Sequence, residues 1–407
     1  MFPAASLLTT LLLALSIAAS PVEVRNSPIT LPIARRLNTS GGTINLLQHD
    51  QSRAAALKNA AASNIGRRAG SIAVTNDAVT YIAAVGVGSP ATTYNLIVDT
   101  GSSNTWVGAT TPYAMTSTSV NTGQPVAVSY GSGSFSGTEY TDTVTLGSGL
   151  TITQQSIGVA SRSTGFTGVD GILGIGPLDL TEGTLTNSPT TTIPTVTQNL
   201  YTQGIISQVV VGVSFEPTTS QTVTNGELTF GGTDATKYTG AITYTPLTTT
   251  YPASYYWGIN ESITYGTKTI LSATAGIVDT GTTLILIASN AFSTYQSATG
   301  ATLDRRTGLL RITSTQYSAL QNLNFNIGSN TYALTPNGQI WPRALNTYIG
   351  GTSTYIYLVV NSIGAPSGQG LDFINGYTFL ERFYSVFDTT NSQVGFATTA
   401  YTTATTN

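Results

Sequence analysis

Short apolar and alternating runs, broken by Gly, Ser, Thr and Asn, carry this 407-residue chain almost from end to end. Tyr94-Asn95-Leu96-Ile97-Val98 and Gly276-Ile277-Val278 have the pattern of buried strands. Val85-Gly86-Val87-Gly88-Ser89-Pro90 reads as a hairpin turn into the first of them. Its GxG has no third Gly and no helix after it, so a nucleotide loop is not expected. Val128-Ser129-Tyr130-Gly131-Ser132-Gly133 reads as the tip of a β-hairpin. Helical signals are few: Thr195 as the cap of a helix through Thr202 closed by Gly204, Ser289 before 290–298, Ser314 before 315–323, and a segment over 375–384. The pattern predicts an all-β protein, mainly strands with a few short helices. The apolar run 7–19 is too short to span a bilayer and ends in Ala18-Ala19-Ser20, which predicts a secretory signal peptide over 1–20. No later segment has 18 apolar residues in a row, and the polar ending AYTTATTN does not suit a lipid anchor. An extracellular protein without a membrane partner is expected.

Composition agrees with strands and turns: 42 Gly, 21 Tyr and only 8% charged residues. The length suggests two domains or lobes. Charge divides the chain. Between 21 and 70 lie Arg25, Arg35, Arg36, Arg53, Lys58, Arg67 and Arg68 against Glu23 and Asp50, a net +5; with −3 for the whole chain, the rest carries −8. This predicts a basic pro-segment over 21–70 that lies on an acidic body, with a cleavage neighbourhood at Arg67-Arg68. An acidic body without basic runs is not expected to bind nucleic acid. There is no cysteine, and the sole histidine, His49, sits in the basic segment. Once that segment is removed, Ser-His-Asp, Cys-His and zinc chemistry all lack their residues. No metal and no cofactor are expected, and acid–base work falls to carboxylates.

Two carboxylates occur in matching contexts: LIVDTGSSNTWV at 96–107 and IVDTGTTLILIA at 277–288. Each aspartate, Asp99 and Asp279, follows a strand and precedes Thr-Gly, where Gly101 and Gly281 permit a tight turn and a close backbone approach. Ser102 and Thr282 then offer hydroxyls to the neighbouring aspartate. Two carboxylates in contact cannot both ionise cheaply, so they share a proton. The ionised member can deprotonate water while the protonated one polarises a carbonyl.

These segments resemble the active-site motifs of the pepsin-like aspartic peptidases, in particular their secreted fungal members, and the similarity runs through essentially all of 71–400. It implies a bilobal pepsin-like acid protease fold, with lobes at 71–245 and 246–407 related by a pseudo-twofold. It implies that Asp99 and Asp279 are catalytic, that Thr100 and Thr280 bond across to the opposite lobe, and that Ser102 and Thr282 steady the aspartates. The hairpin at Tyr130, Gly131 and Ser132 becomes a flap over the substrate, with Tyr130 bonded to Trp106. Asp170-Gly171-Ile172-Leu173-Gly174-Ile175 and Phe373-Ile374-Asn375-Gly376 become the segments behind the two aspartate loops; Asn375 stands where relatives more often carry an aliphatic residue. Asp170 and Asp388, outside any Asp-Thr-Gly, read as structural. Ile97, Tyr130, Phe135, Phe166 and Ile285 would meet side chains beside the cut bond and favour large hydrophobic ones, with Thr283 bonding to the substrate backbone.

The resemblance further implies a monomer acting on protein or peptide substrates, and a pro-segment that inhibits its own chain by pairing a basic residue with the aspartates. Arg35, Arg36 and Lys58 are the candidates for that residue. Asn260-Glu261-Ser262 and Asn38-Thr39-Ser40 are glycosylation sequons. Two alternatives stand beside the peptidase: an inactive relative that only binds, and a two-carboxylate glycosidase. A retaining glycosidase would hold its carboxyls roughly 5 Å apart.

Overall fold

The computed structural model describes residues 28–38, 42–63, 79–131 and 133–407. The expected signal peptide, Arg25, Arg67-Arg68, Ser132 and residues 39–40 of the first sequon lie outside the described residues.

Strands dominate, as the apolar pattern predicts. Where one face meets the core, burial alternates: in Leu323–Ile327 the residues Leu323, Phe325 and Ile327 point inward and the two asparagines do not. Where a strand is covered on both faces, the apolar run is continuous. Thr92–Asp99 ends in four buried residues, because it pairs antiparallel with Val79–Val87 and parallel with Gly171–Gly174.

Among the described residues, thirteen strands form one sheet. Its edge is the hairpin Val120–Ser129 and Ser134–Gly147, its middle holds Thr92–Asp99 and Val79–Val87, and it continues through Ile29–Leu37, Thr222–Phe230 and Val210–Ser214. The chain's last strands, Phe383–Asp388 and Gln393–Thr398, join the far end of this same sheet. A seven-stranded sheet, drawn from Gly258–Tyr265 to Phe373–Asn375, carries the second Asp-Thr-Gly. The strand entering it, Lys268–Val278, pairs parallel with Phe373–Asn375, just as the first pairs with Gly171–Gly174. Asp170 is structural: its carboxylate accepts from the main-chain N–H of Asn95 at 2.8 Å and of Thr111 at 2.9 Å. Asp388 likewise accepts from Asn391 and Gln393.

The helices depart from expectation in four respects. The longest, α1 (Leu46–Ser63), lies in the basic segment, where none is predicted. Its first turn is closed by Asn45, whose Oδ1 accepts from Gln48 N at 3.0 Å. Helix α2 (Val196–Thr202) starts at Thr195 as expected, with Gln198 completing a capping box. Helix α3 (Ser289–Thr299) begins one residue early, so Ser289 lies inside it and Ala288 is the cap. Helix α4 (Ser314–Ser318) is capped by Thr313, not Ser314, and stops where Leu323 begins a strand. The segment at 375–384 gives only α5 (Tyr377–Leu380), because Asn375 and Phe383 belong to strands.

Candidate active site

The two Asp-Thr-Gly loops meet at the junction of the sheets and repeat one another atom for atom. Ser102 Oγ donates to Asp99 Oδ2 at 2.5 Å and Thr282 Oγ1 to Asp279 Oδ2 at 2.6 Å. Gly101 N–H donates to Asp99 Oδ1 at 2.9 Å and Gly281 N–H to Asp279 Oδ1 at 3.0 Å. The threonines cross over: Thr100 N–H donates to Thr280 Oγ1 and Thr280 N–H to Thr100 Oγ1, at 3.0 and 2.9 Å. Each hydroxyl passes its own proton to a carbonyl of the opposite strand end, Val278 or Val98. A buried polar group without such partners is costly, so this closed ring of bonds fixes how the loops face each other.

Each glycine faces the other loop's aspartate. A Cβ on Gly101 would stand 2.7 Å from Asp279 Oδ1, and one on Gly281 would stand 2.6 Å from Asp99 Oδ1. Both aspartates are essentially inaccessible to solvent.

Between them lies the Arg53 guanidinium. Its Nη2 donates to Asp99 Oδ1 at 2.5 Å and to Asp279 Oδ1 at 2.8 Å, and its Nε donates to Asp279 Oδ2 at 2.7 Å. One nitrogen thus bridges the inner oxygens of both carboxyls. Burial works to raise both acids. It prevails at Asp99, assisted by the charge of Asp279, whereas at Asp279 the charge and bonds of Arg53 win and hold it below its ordinary value.

The basic partner is therefore Arg53 and none of the three expected candidates. Arg35 is spent on Glu381, Nε to Oε1 at 3.2 Å. Arg36 donates to the Gly168 carbonyl at 3.1 Å. The Lys58 ammonium is buried, among the described residues has no bonding partner, and lies in the field of Asp372. These positions follow from docking: Ile29–Leu37 is a strand between Thr222–Phe230 and Val79–Val87, which commits Arg35 and Arg36, and α1 then presents Arg53. The helix is held at several points. Leu284 N–H donates to Asp50 Oδ2 at 2.7 Å, Gln51 Nε2 to the Ser362 carbonyl at 2.9 Å, and Tyr256 Oη to the Leu57 carbonyl at 2.7 Å. His49 Nδ1 lies 2.9 Å from Asp50 Oδ1.

The flap is a hairpin, closed by Tyr130 N–H to the Gly133 carbonyl at 2.7 Å. Its Gly131 rests on the backbone of Ser52 and Arg53 so closely that any Cβ would collide there. Tyr130 and Trp106 are brought together as expected, the indole acting on the buried phenol as a side-chain hydrogen-bond partner, although among the described residues neither Tyr130 Oη nor Trp106 Nε1 has a partner at strict bonding geometry. With α1 under the flap, Trp106 stacks on Phe135 at 4.3 Å between centroids, and Phe166 meets both Trp106 and Tyr130 edge-on. Burial holds the Tyr130 phenol well above its ordinary value, although the nearby indole pulls it down.

A small cavity beside the aspartates is lined by Ile97, Tyr130, Phe166, Ile172 and Thr80, with His49 and Arg53 entering from α1. Phe135 does not line it; it is buried in the apolar cluster that includes Ile97, Trp106, Phe166 and Ile172. Ile285 does not line this cavity; it is fully buried in the seven-stranded sheet, paired with Val360 and Asn375. Thr283 is buried and its hydroxyl has no partner among the described residues, and Asn260 is exposed. Among the described residues no helix is long and apolar enough to cross a membrane.

In the sequence Arg53 and Asp50 stand out only as members of a charge count, and Tyr256 and Thr80 not at all. A signal for α1 exists in the spacing of Leu46, His49, Asp50, Arg53, Ala54 and Leu57, all buried. It is helical, but half of its members are polar.

Comparison with known proteins gives a consistent result. A family model described as Eukaryotic aspartyl protease matches residues 80–399. The chain is 66% identical to polyporopepsin of Irpex lacteus over 340 residues, which is 83% of this chain and 100% of that protein. It is 30% identical to gastricsin of Homo sapiens, over 82% of this chain and 86% of that one. The crystal structure of an aspartic proteinase from Irpex lacteus superposes with a TM-score of 0.81 at 58% identity, covering 94% of this chain and 100% of that chain.

Proposed function

The chain belongs to the eukaryotic aspartyl proteases, pepsin-like in fold, and from that premise we propose that it is a secreted endopeptidase made as a precursor and active in acid. Asp99 and Asp279 are its catalytic residues, and 21–70 is its own inhibitor. The observation that carries this reading is the single Arg53 nitrogen bonded to both inner carboxyl oxygens. A cation in that position balances a pair that keeps one proton, and it occupies the place a scissile amide and its water would need.

Removal of the pro-segment leaves a dyad with one shared proton, since two adjoining carboxylates cannot both be ionised in acid. The ionised carboxylate takes a proton from water as the water oxygen attacks the peptide carbonyl carbon. The protonated carboxyl gives its proton to the carbonyl oxygen, forming a neutral gem-diol. Return of a proton to the amide nitrogen then lets the C–N bond break, releasing a carboxylic acid and an amine. Thr100, Gly101, Ser102, Thr280, Gly281 and Thr282 hold the pair in register. Tyr130, Gly131 and Trp106 cover it. Ile97, Phe135 and Phe166 favour a large hydrophobic side chain beside the cut bond, and Thr283 binds the substrate backbone. The protein acts as a monomer, built from lobes at 71–245 and 246–407, and Asn260 is open to glycosylation.

The test is cleavage of a denatured protein by the acid-treated full-length chain, with and without a statine-type transition-state mimic. Peptide release that the mimic blocks and Asp279→Asn abolishes is expected. A folded, pro-segment-free protein that binds the mimic but releases no peptide would favour a binding role instead.

A further inference from the structure

Behind the second aspartate lies a carboxyl group for which peptide cleavage has no direct use. Glu261, on the strand Gly258–Tyr265, is 2% exposed. Its Oε2 accepts from Asn375 Nδ2 at 2.8 Å. Asn375 is itself fully buried, and its main-chain carbonyl accepts the Asp279 N–H at 3.2 Å. Asn375 pairs with Val278 on one side and with Ile285 on the other. It is therefore wedged between the strand that enters the catalytic loop and the strand that leaves it. Two more buried oxygens, Glu261 Oε1 and Asn375 Oδ1, have no donor among the described residues. An aliphatic residue at 375 would avoid that cost, so the polar pair calls for a reason.

We propose that Glu261 is a positioning residue for Asp279, acting through Asn375. The inference rests on Asp99 and Asp279 being the catalytic pair. The Glu261 tether fixes the Asn375 side chain, and with it the carbonyl that seats the Asp279 backbone. The angle at which Asp279 meets Asp99 follows from that seat, and small misplacements of reacting groups are costly in rate.

The tether works with a neutral carboxyl. Glu261 faces Thr274 on Lys268–Val278 and Ile327 on Leu323–Ile327. Among the described residues no charged group acts on it from these strands or from Phe373–Asn375. Burial raises its pKa to about 8, opposed only by the Asn375 bond. In acid it is uncharged and bonded; at alkaline pH its ionisation draws in water and unseats Asp279.

The experiment uses the full chain matured in acid, as wild type, Glu261→Ala, Glu261→Gln, Asn375→Ala and the double Glu261→Ala/Asn375→Ala. Active sites are counted by titration with a statine-type inhibitor, and kcat and KM are read on a chromogenic peptide from acid to neutral pH. E261A is expected to lower kcat about tenfold or more, to leave KM within about twofold and to shift the limbs of the kcat profile. E261Q keeps an acceptor for Asn375 and should restore most of kcat. It should also recover on return to acid after exposure to pH about 9, where wild type loses activity. N375A, and the non-additive double variant, carry the test if E261A does not fold. Titrated sites of E261A or N375A that turn over at the wild-type rate with an unchanged pH profile would overturn the positioning role, as would E261Q falling as far as E261A. A wild-type chain that cuts nothing brings down the dyad reading itself.

Discussion

Arg53 satisfies two carboxyls with one planar group, which a lysine cannot do. A guanidinium presents a fork of fixed donors, whereas an ammonium is a point charge. Truncating one partner of a buried charge pair costs about 2–5 kcal/mol, so Arg53→Ala should free the cleft of the uncleaved precursor. Binding of a statine-type mimic to the precursor near pH 6 reads this directly, with Arg53→Lys intermediate; an R53A precursor as closed as wild type would exclude a latch at this residue. For the proposed precursor, an acid trigger follows from sign. Asp279 is held below its ordinary 3.8 by Arg53, so its contribution is present above 3.8 and is lost as pH falls through the lowered value. Asp99, held up by burial, has the opposite sign and keeps its proton. Release of the segment is thus expected below pH 3.8, measured as the pH at which the precursor first binds the mimic.

Elements differ in how far their own residues specify them. The cap of α2 is local, with Thr195 and Gln198 bonding each other's backbone. Thr195→Ala should therefore cost about 1 kcal/mol, read from a denaturant midpoint with unchanged slope. Helix α1 is specified by its docking site. Its buried stripe has helical spacing but includes His49, Asp50 and Arg53, because it faces a polar cleft. Hydrophobic periodicity overlooks such a helix. The flap tip depends on α1 in turn, since Gly131 touches the Arg53 backbone. Gly131→Ala should weaken latency of the precursor more than it lowers kcat of the mature enzyme, as seen by comparing mimic binding before and after acid maturation. Equal effects on both would show that the contact is incidental.

Across the whole molecule, two buried carboxylic acids that stay neutral at low pH favour the folded state in acid. Burial raises Glu139 to about 7, against one bond from Ser156, and Glu261 to about 8. An acid with a raised folded pKa gives stability that is full below its unfolded value, here 4.5, and is lost as pH rises to the folded one. Both groups act up to about pH 7 and Glu261 alone up to about 8, each by up to roughly 1.4 kcal/mol per pH unit. Tm of the matured protein should fall steadily over that range by calorimetry, and Glu139→Gln and Glu261→Gln should each flatten the fall. An E139Q curve parallel to wild type would assign the loss elsewhere. Much of this was beyond the reach of pattern, since Glu139 and Glu261 look like ordinary strand residues until each is seen on the buried face of its strand.

The strands, the repeated Asp-Thr-Gly loops, the hairpin at Tyr130 and the lack of thiol and imidazole groups in 71–407 are all legible along the chain. Those features are written in neighbouring residues, in the period of apolar side chains and in which reactive groups are present at all. Long-range packing is what brings Arg53 to the aspartates, stacks Trp106 on Phe135, turns Ile285 into the core and ties Glu261 to Asn375. Each of these is a contact between segments far apart in the chain. It exists because packing brings those segments together, and no local rule of spacing or propensity encodes that.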